Sequence, residues 1–117
     1  EGGKLRLSLK WHQRSVDTPV GLIQNIAGYA LILHLLAHCC DMEADELVFD
    51  GGDVHVYLDQ IEDVKRQLER DPMPLPKLWL NPEKKDIFAF SMNDIKILNY
   101  TVHPNDAKDP IKYKVSV

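Results

Sequence analysis

The chain has 117 residues, of which 44% are hydrophobic and 27% charged, with a formal net charge of −4. That length holds one domain at most, and the composition is that of a folded protein with a core. The acidic balance argues against broad attraction to nucleic acid or anionic lipid, so an anionic ligand must be held by a few local cations.

In chain order, Leu5, Leu7, Leu9 and Trp11 alternate with Lys4, Arg6, Ser8 and Lys10, which predicts a strand with one buried face. Gly2-Gly3 before it reads as the turn of a hairpin whose partner strand is missing, so the chain is expected to begin inside a domain. No signal peptide is read in the opening residues. Pro19 and Gly21 end the next loop, and a helix is predicted from about Gly21 to Cys40. Its residues Ile23, Ala27, Ala30, Leu31, Leu35 and Cys39 repeat at helical spacing. Leu22, Leu33 and Leu36 make it apolar nearly all round, so it is expected to be central and buried. A stretch of ~20 such residues also has the length of a membrane span. Gln24, Asn25, His34 and His38 interrupt it and no basic flank orients it, so a soluble core helix is the expectation.

Further on, Glu46-Leu47-Val48-Phe49 reads as a short strand, Asp50-Gly51-Gly52-Asp53 as a turn, and Val54 to Tyr57 as a second extended piece. Asp59 to Arg70 has the pattern of an amphipathic helix with Ile61, Val64 and Leu68 inward. The proline-rich run from Asp71 to Pro76 stops it. Lys77 to Leu80 and Asp94 to Val102 read as strands, and Asn105 to Val117 as a polar tail.

The chemistry concentrates in a few places. Arg14 and Ser15 suit a phosphate, since the planar guanidinium fork and a short hydroxyl can share its oxygens. Asn25, near the helix N-terminus, either satisfies backbone groups there or presents its amide to the edge of a planar base. Asp17 either caps the loop before the helix or accepts from a second ligand. His55 and Tyr57 leave the same face of an extended segment, where they either pack at a strand edge or share one sugar hydroxyl. A phosphate reader and a base-edge reader this close in sequence point to a nucleotide monophosphate.

Cys39 and Cys40 are helical neighbours pointing about 100° apart, unsuited to a mutual disulfide and consistent with a reducing, cytoplasmic setting. Neither has an adjacent cation to lower its pKa, so neither is expected to be a nucleophile. His34 and His38 have metal-ligand spacing but no third ligand, and no metal is expected. The run Glu62-Asp63-Val64-Lys65-Arg66 reads as a solvated helix face.

Several strings together resemble the C-terminal part of the thymidylate synthase family. They are Gln13-Arg14-Ser15-Val16-Asp17, Gly21-Leu22 with Asn25-Ile26-Ala27 and Tyr29-Ala30-Leu31, Gly52 through Tyr57, Leu75-Pro76-Lys77, His103-Pro104, and Ile111-Lys112 through Val117. The resemblance covers nearly the whole chain in register. It implies an α+β fold, a mixed sheet packed on the long helix, and a homodimer that methylates deoxyuridylate (dUMP) to thymidylate (dTMP) with 5,10-methylenetetrahydrofolate. By the same resemblance, Arg14, Ser15, Val16, Asp17, Asn25, His55 and Tyr57 form the substrate set. Within it Arg14 and Ser15 hold the phosphate, Asn25 the pyrimidine, and His55 with Tyr57 the sugar 3′-hydroxyl. Asp17, Gly21 and Ser116 belong to the folate side, with the Val117 carboxylate in a tail that closes over it.

The departures carry as much information. The family's nucleophile lies in a Pro-Cys-His motif that residues 1–117 do not contain, and the family's N-terminal phosphate loop is missing too. The chain is therefore expected to be a single partial domain that lacks a catalytic residue, is inactive alone, and self-associates. Leu22-Ile23-Gln24-Asn25 stands where the family usually has Leu-Pro-Phe-Asn, and Asp59-Gln60 where it usually has Asn-His. Gln24 in place of an aromatic leaves a nucleotide hydroxymethylase as the alternative product chemistry, and a non-catalytic nucleotide-binding fragment as the alternative class. Asn25 favours uracil, because cytidylate-type relatives commonly carry Asp there.

Overall fold

A computed structural model describes residues 3–115. Strand β1 (Arg6–Asp17), helix α1 (Ile23–Cys39) and strand β2 (Glu43–His55) build a parallel β-α-β unit. The inward face of β1 carries Leu7, Leu9 and Trp11, and Trp11 is only 6% exposed. Its ring stacks on Tyr29 of α1 and meets Phe49 of β2, each at 4.9 Å between centroids. The outward face of β1 is polar from Arg6 to Arg14. Lys10 and His12 both reach Asp50 across the pair, at 3.3 and 2.9 Å, and Arg6 pairs with Asp45.

Three findings bear on these expectations. First, β1 pairs with β2 in parallel register from Arg6↔Glu43 to Asp17↔His55, which leaves its other edge open in a two-stranded sheet. Of the proposed Gly2-Gly3 turn, Gly2 lies outside the described residues. Secondly, Asp50 to Asp53 is not a turn: β2 runs unbroken through both glycines, and neither has positive φ. The glycines serve close approach instead. A Cβ on Gly52 would stand 2.8 Å from the Arg14 carbonyl oxygen, and one on Gly51 2.4 Å from a Val54 methyl.

Thirdly, α1 is not wrapped by protein. Only Leu33 and Ala37 are buried, while Ile23, Ile26 and Ile32 are 52%, 44% and 42% exposed. A two-stranded sheet is narrow and covers one stripe of an all-round apolar helix. The segment Thr18–Cys39 is 22 residues long and contains an 18-residue stretch of mean hydropathy 1.7, so it is long and apolar enough by length and composition to cross a membrane. It is joined to the sheet through the Tyr29 stack and a hydrogen bond from Asn25.

Helix α1 begins after a wide turn, Thr18–Leu22, in which Asp17 accepts from the Val20 amide at 3.4 Å and Pro19 occupies an early position that needs no N–H donor. It ends where Asp41 turns left-handed, at φ 60°. Helix α2 (Ile61–Leu68) follows a short 3-10 turn, Leu58–Gln60, and is shorter than the predicted span. Ile61 and Val64 are half-buried, but Leu68 is 80% exposed, contrary to the inward role expected for it. It lies instead on the wall of an open cavity.

Strands β3 (Lys77–Leu80) and β4 (Ile95–Leu98) form an antiparallel pair. Expected to reach Val102, β4 stops where Asn99 takes φ 60°. Asp94 anchors this pair: it accepts from Asn81 Nδ2 at 2.6 Å and from Ser91 N and Oγ at 3.0 and 2.7 Å. The Asn81 hydrogen bond, then those of Ser91, hold its carboxyl down at about 2. A five-residue helix α3 (Pro104–Lys108) interrupts the tail, with the His103 ring accepting from Asn105 N. The chain is α+β as expected, with its parallel and antiparallel pairs standing as two separate sheets.

Candidate functional site

Strands β1 and β2 end level, with Ser15 opposite Asp53 and Asp17 opposite His55. Trp11 opposite Phe49 fixes which face these positions share, so Gln13, Ser15, Asp17, Asp53 and His55 lie on the α1 side of the sheet. A hydroxyl, two carboxylates and an imidazole thus collect at the carboxyl ends of parallel strands, where open α/β sheets bind ligands.

Gln13 organises half of this group. Its Oε1 accepts from Trp11 Nε1 at 3.3 Å and from Asn25 Nδ2 at 3.0 Å, while its Nε2 donates to the Ser15 carbonyl at 3.2 Å. Asn25 on α1 and Ser15 on β1 are therefore tied through one amide. Among the described residues, Asn25 Oδ1 and Ser15 Oγ have no partner, so both stay available to a ligand.

His55 supplies the other half. Its Nδ1 lies 3.2 Å from Asp53 Oδ1, which favours the proton on Nδ1 and leaves Nε2 as an acceptor. The Tyr57 ring meets the imidazole edge-on, with centroids 5.1 Å apart. A ligand hydroxyl between them can donate to His55 Nε2 and accept from the Tyr57 phenol.

The remaining predicted residues are placed less uniformly. Arg14 alternates to the opposite sheet face from Ser15 and Asp17; it is exposed and has no ion-pair partner among the described residues. Val16 is 5% exposed and packs towards Gly21, where a Cβ would stand 3.3 Å from a Val16 methyl, so its side chain serves the core. Asp17 caps the turn and also accepts from Gln60 Nε2 at 2.8 Å. Ser116 and Val117 lie outside the described residues.

A cavity of about 670 Å³ opens beside this group rather than on it. Thr18, Pro19 and Leu22 form one wall, Leu68 and Tyr113 another; Arg14, Ser15, Asn25, His55 and Tyr57 do not line it. It is mainly an apolar annex to the Asp17–Leu22 turn. The polar cluster, not the larger void, has the chemistry to orient a nucleotide.

Cys39 and Cys40 stand at the far end of α1, whose 17 residues span about 25 Å. No group of three or more His, Cys, Asp or Glu residues able to hold a metal is found among the described residues. His38 is engaged otherwise, its Nε2 lying 2.8 Å from the Lys84 carbonyl oxygen.

Neither Gln13 nor Gln60 is among the residues that the sequence pattern marks for a role. Gln13 carried a usable signal, since it shares the strand face of Trp11, Ser15 and Asp17. Gln60 carried none beyond its departure from the family pattern.

The family model described as Thymidylate synthase matches residues 3–117. That match takes in both strand ends, the helix bearing Asn25 and the tail, and the chain belongs to the thymidylate synthase family.

Proposed function

We propose that this chain serves the reductive methylation of deoxyuridylate to thymidylate, with 5,10-methylenetetrahydrofolate as co-substrate. Family membership supports the reaction class. The observation that carries the reading is the joint termination of β1 and β2, which groups Ser15, Asn25 and His55 with their unused polar atoms. In this reading Asn25 orients the uracil edge, His55 and Tyr57 hold the 3′-hydroxyl, and Ser15 takes a phosphate oxygen. Arg14 would reach the phosphate around the β1 edge, which has no strand neighbour among the described residues. Asp17, Gly21 and Ser116 serve the folate side.

The reaction needs a thiolate that adds to C6 of the pyrimidine, makes C5 nucleophilic towards the one-carbon unit, and is expelled after the C5 proton leaves. Cys39 and Cys40 sit too far from the strand ends for that work. The nucleophile therefore comes from outside residues 1–117, and these residues form the positioning part of a longer domain. The exposed apolar stripe of α1 fits packing against that remainder and a homodimeric enzyme. Two free thiols fit a cytoplasmic setting.

The direct test is tritium release from C5 of labelled deoxyuridylate by the complete protein, with product analysis. Release with 5-methyl product supports the reading; 5-hydroxymethyl product selects the hydroxymethylase, the alternative that Gln24 in place of an aromatic leaves open. Binding of deoxyuridylate without release selects a non-catalytic module. Arg14→Ala should weaken nucleotide binding about 10- to 100-fold, through loss of a charge-assisted contact.

A further inference from the structure

Among the described residues Gln60 is a fully buried polar side chain, 1% exposed, and it lies outside the polar cluster described above. Its amide is fully used. Oε1 accepts from the Tyr57 amide at 3.0 Å, and the two Nε2 hydrogens go to Asp17 Oδ2 at 2.8 Å and to the Lys114 carbonyl at 3.0 Å. A flipped amide would set an oxygen against two acceptors and a nitrogen against a donor, so only one orientation satisfies all three. One side chain thus joins three separate segments: the end of β1, Tyr57 at the start of the 3-10 turn, and the C-terminal tail.

The same end of the chain is gripped along α2. Arg66 pairs with Asp109, Arg70 pairs with Asp106 and donates to the Asp109 carbonyl, and Tyr113 donates to Gln67. Positions 60, 66, 67 and 70 hold the chain from Asp106 to Lys114 from one side of this segment. The Arg66–Asp109 pair is exposed and individually weak and the Arg70–Asp106 pair is part-buried, whereas the Gln60 side chain is buried and one of its contacts goes to a carboxylate.

We propose that Gln60 is a positioning residue that locks the C-terminal tail to Asp17, so that tail placement and the folate-side carboxylate are set together. The inference rests on the proposed function for what Asp17 faces, but the tether itself is independent of it. Gln60→Met keeps the length and removes every hydrogen bond. Asp109→Ala cuts an exposed tether and leaves the core intact.

Both variants are tested in the complete protein, by hydrogen exchange over residues 109–115 and by steady-state kinetics. Gln60→Met should speed exchange of the tail about tenfold and expose the Tyr57 amide, with Asp109→Ala acting in the same direction but less. The KM for methylenetetrahydrofolate should rise about tenfold in Gln60→Met, while that for deoxyuridylate stays within about twofold. Unchanged tail exchange in Gln60→Met overturns the tether, and equal rises in both KM values overturn the positioning role. If Gln60→Met does not fold, tail exchange in Asp109→Ala equal to wild type overturns the strap. A wild-type protein that turns over no folate refutes the functional reading, and the exchange result then still decides the tether.

Discussion

The β1–β2 pair and the β3–β4 pair handle their polar side chains in opposite ways. At β4, Asp94 is 8% exposed and spends both carboxylate oxygens on Asn81 and Ser91. At the ends of β1 and β2, Ser15 Oγ, Asn25 Oδ1 and the Tyr57 phenol keep hydrogen-bonding capacity unspent among the described residues. Saturated polar groups hold a structure together, and unsaturated ones that converge are what a ligand can use. The pairs differ in length for a related reason: a long parallel pair needs a crossover helix, and that helix brings Asn25 to the strand ends.

The largest effect tests what holds the ligand-facing region. Trp11→Ala removes the ring between Tyr29 and Phe49 and should cost about 3–5 kcal/mol in denaturant unfolding. A loss below 1 kcal/mol, on the same order as a surface change, would remove Trp11 as the anchor of both strands. Gly52→Ala comes next. Its methyl would press on the Arg14 carbonyl oxygen, so about 1–3 kcal/mol should be lost and nucleotide affinity should fall with it.

Asp94 sharpens the contrast by pH. A folded-state value near 2, below the ordinary 3.8, means its stabilisation is complete above about pH 4 and fades as pH falls through 2. Asp94→Asn should therefore lower the thermal midpoint at pH 6 and flatten its fall between pH 4 and pH 2, as read by acid titration of unfolding. The smallest effect belongs to Ser15→Ala. With no partner to lose, it should change stability by less than about 0.5 kcal/mol while weakening nucleotide binding.

Much of this was visible in the residues because local chemistry fixed it. The alternation around Trp11 gave the buried face of β1, and His55 with Tyr57 two apart gave a shared direction. What escaped depended on partners distant in sequence. Gly51-Gly52 has the composition of a turn, and only the neighbouring Arg14 backbone explains why glycine is needed in a strand. Burial of α1 was overestimated because apolar composition records what a helix can bury, not how wide a sheet it meets. Arg14 and Ser15 suit one phosphate as sequence neighbours, yet strand alternation sends them to opposite faces of the sheet. Gln60 joins residues 43 and 54 positions away, which no local pattern reports.

The central claim is that the ends of β1 and β2 receive one pyrimidine deoxyribonucleotide, with its 3′-hydroxyl between His55 and Tyr57. Calorimetry of the complete protein with deoxyuridylate and its 3′-deoxy analogue, repeated on His55→Ala, tests it most directly. The account predicts that wild type binds the analogue about tenfold more weakly and that His55→Ala no longer distinguishes the two. A His55→Ala protein that still prefers deoxyuridylate by the wild-type margin would contradict it.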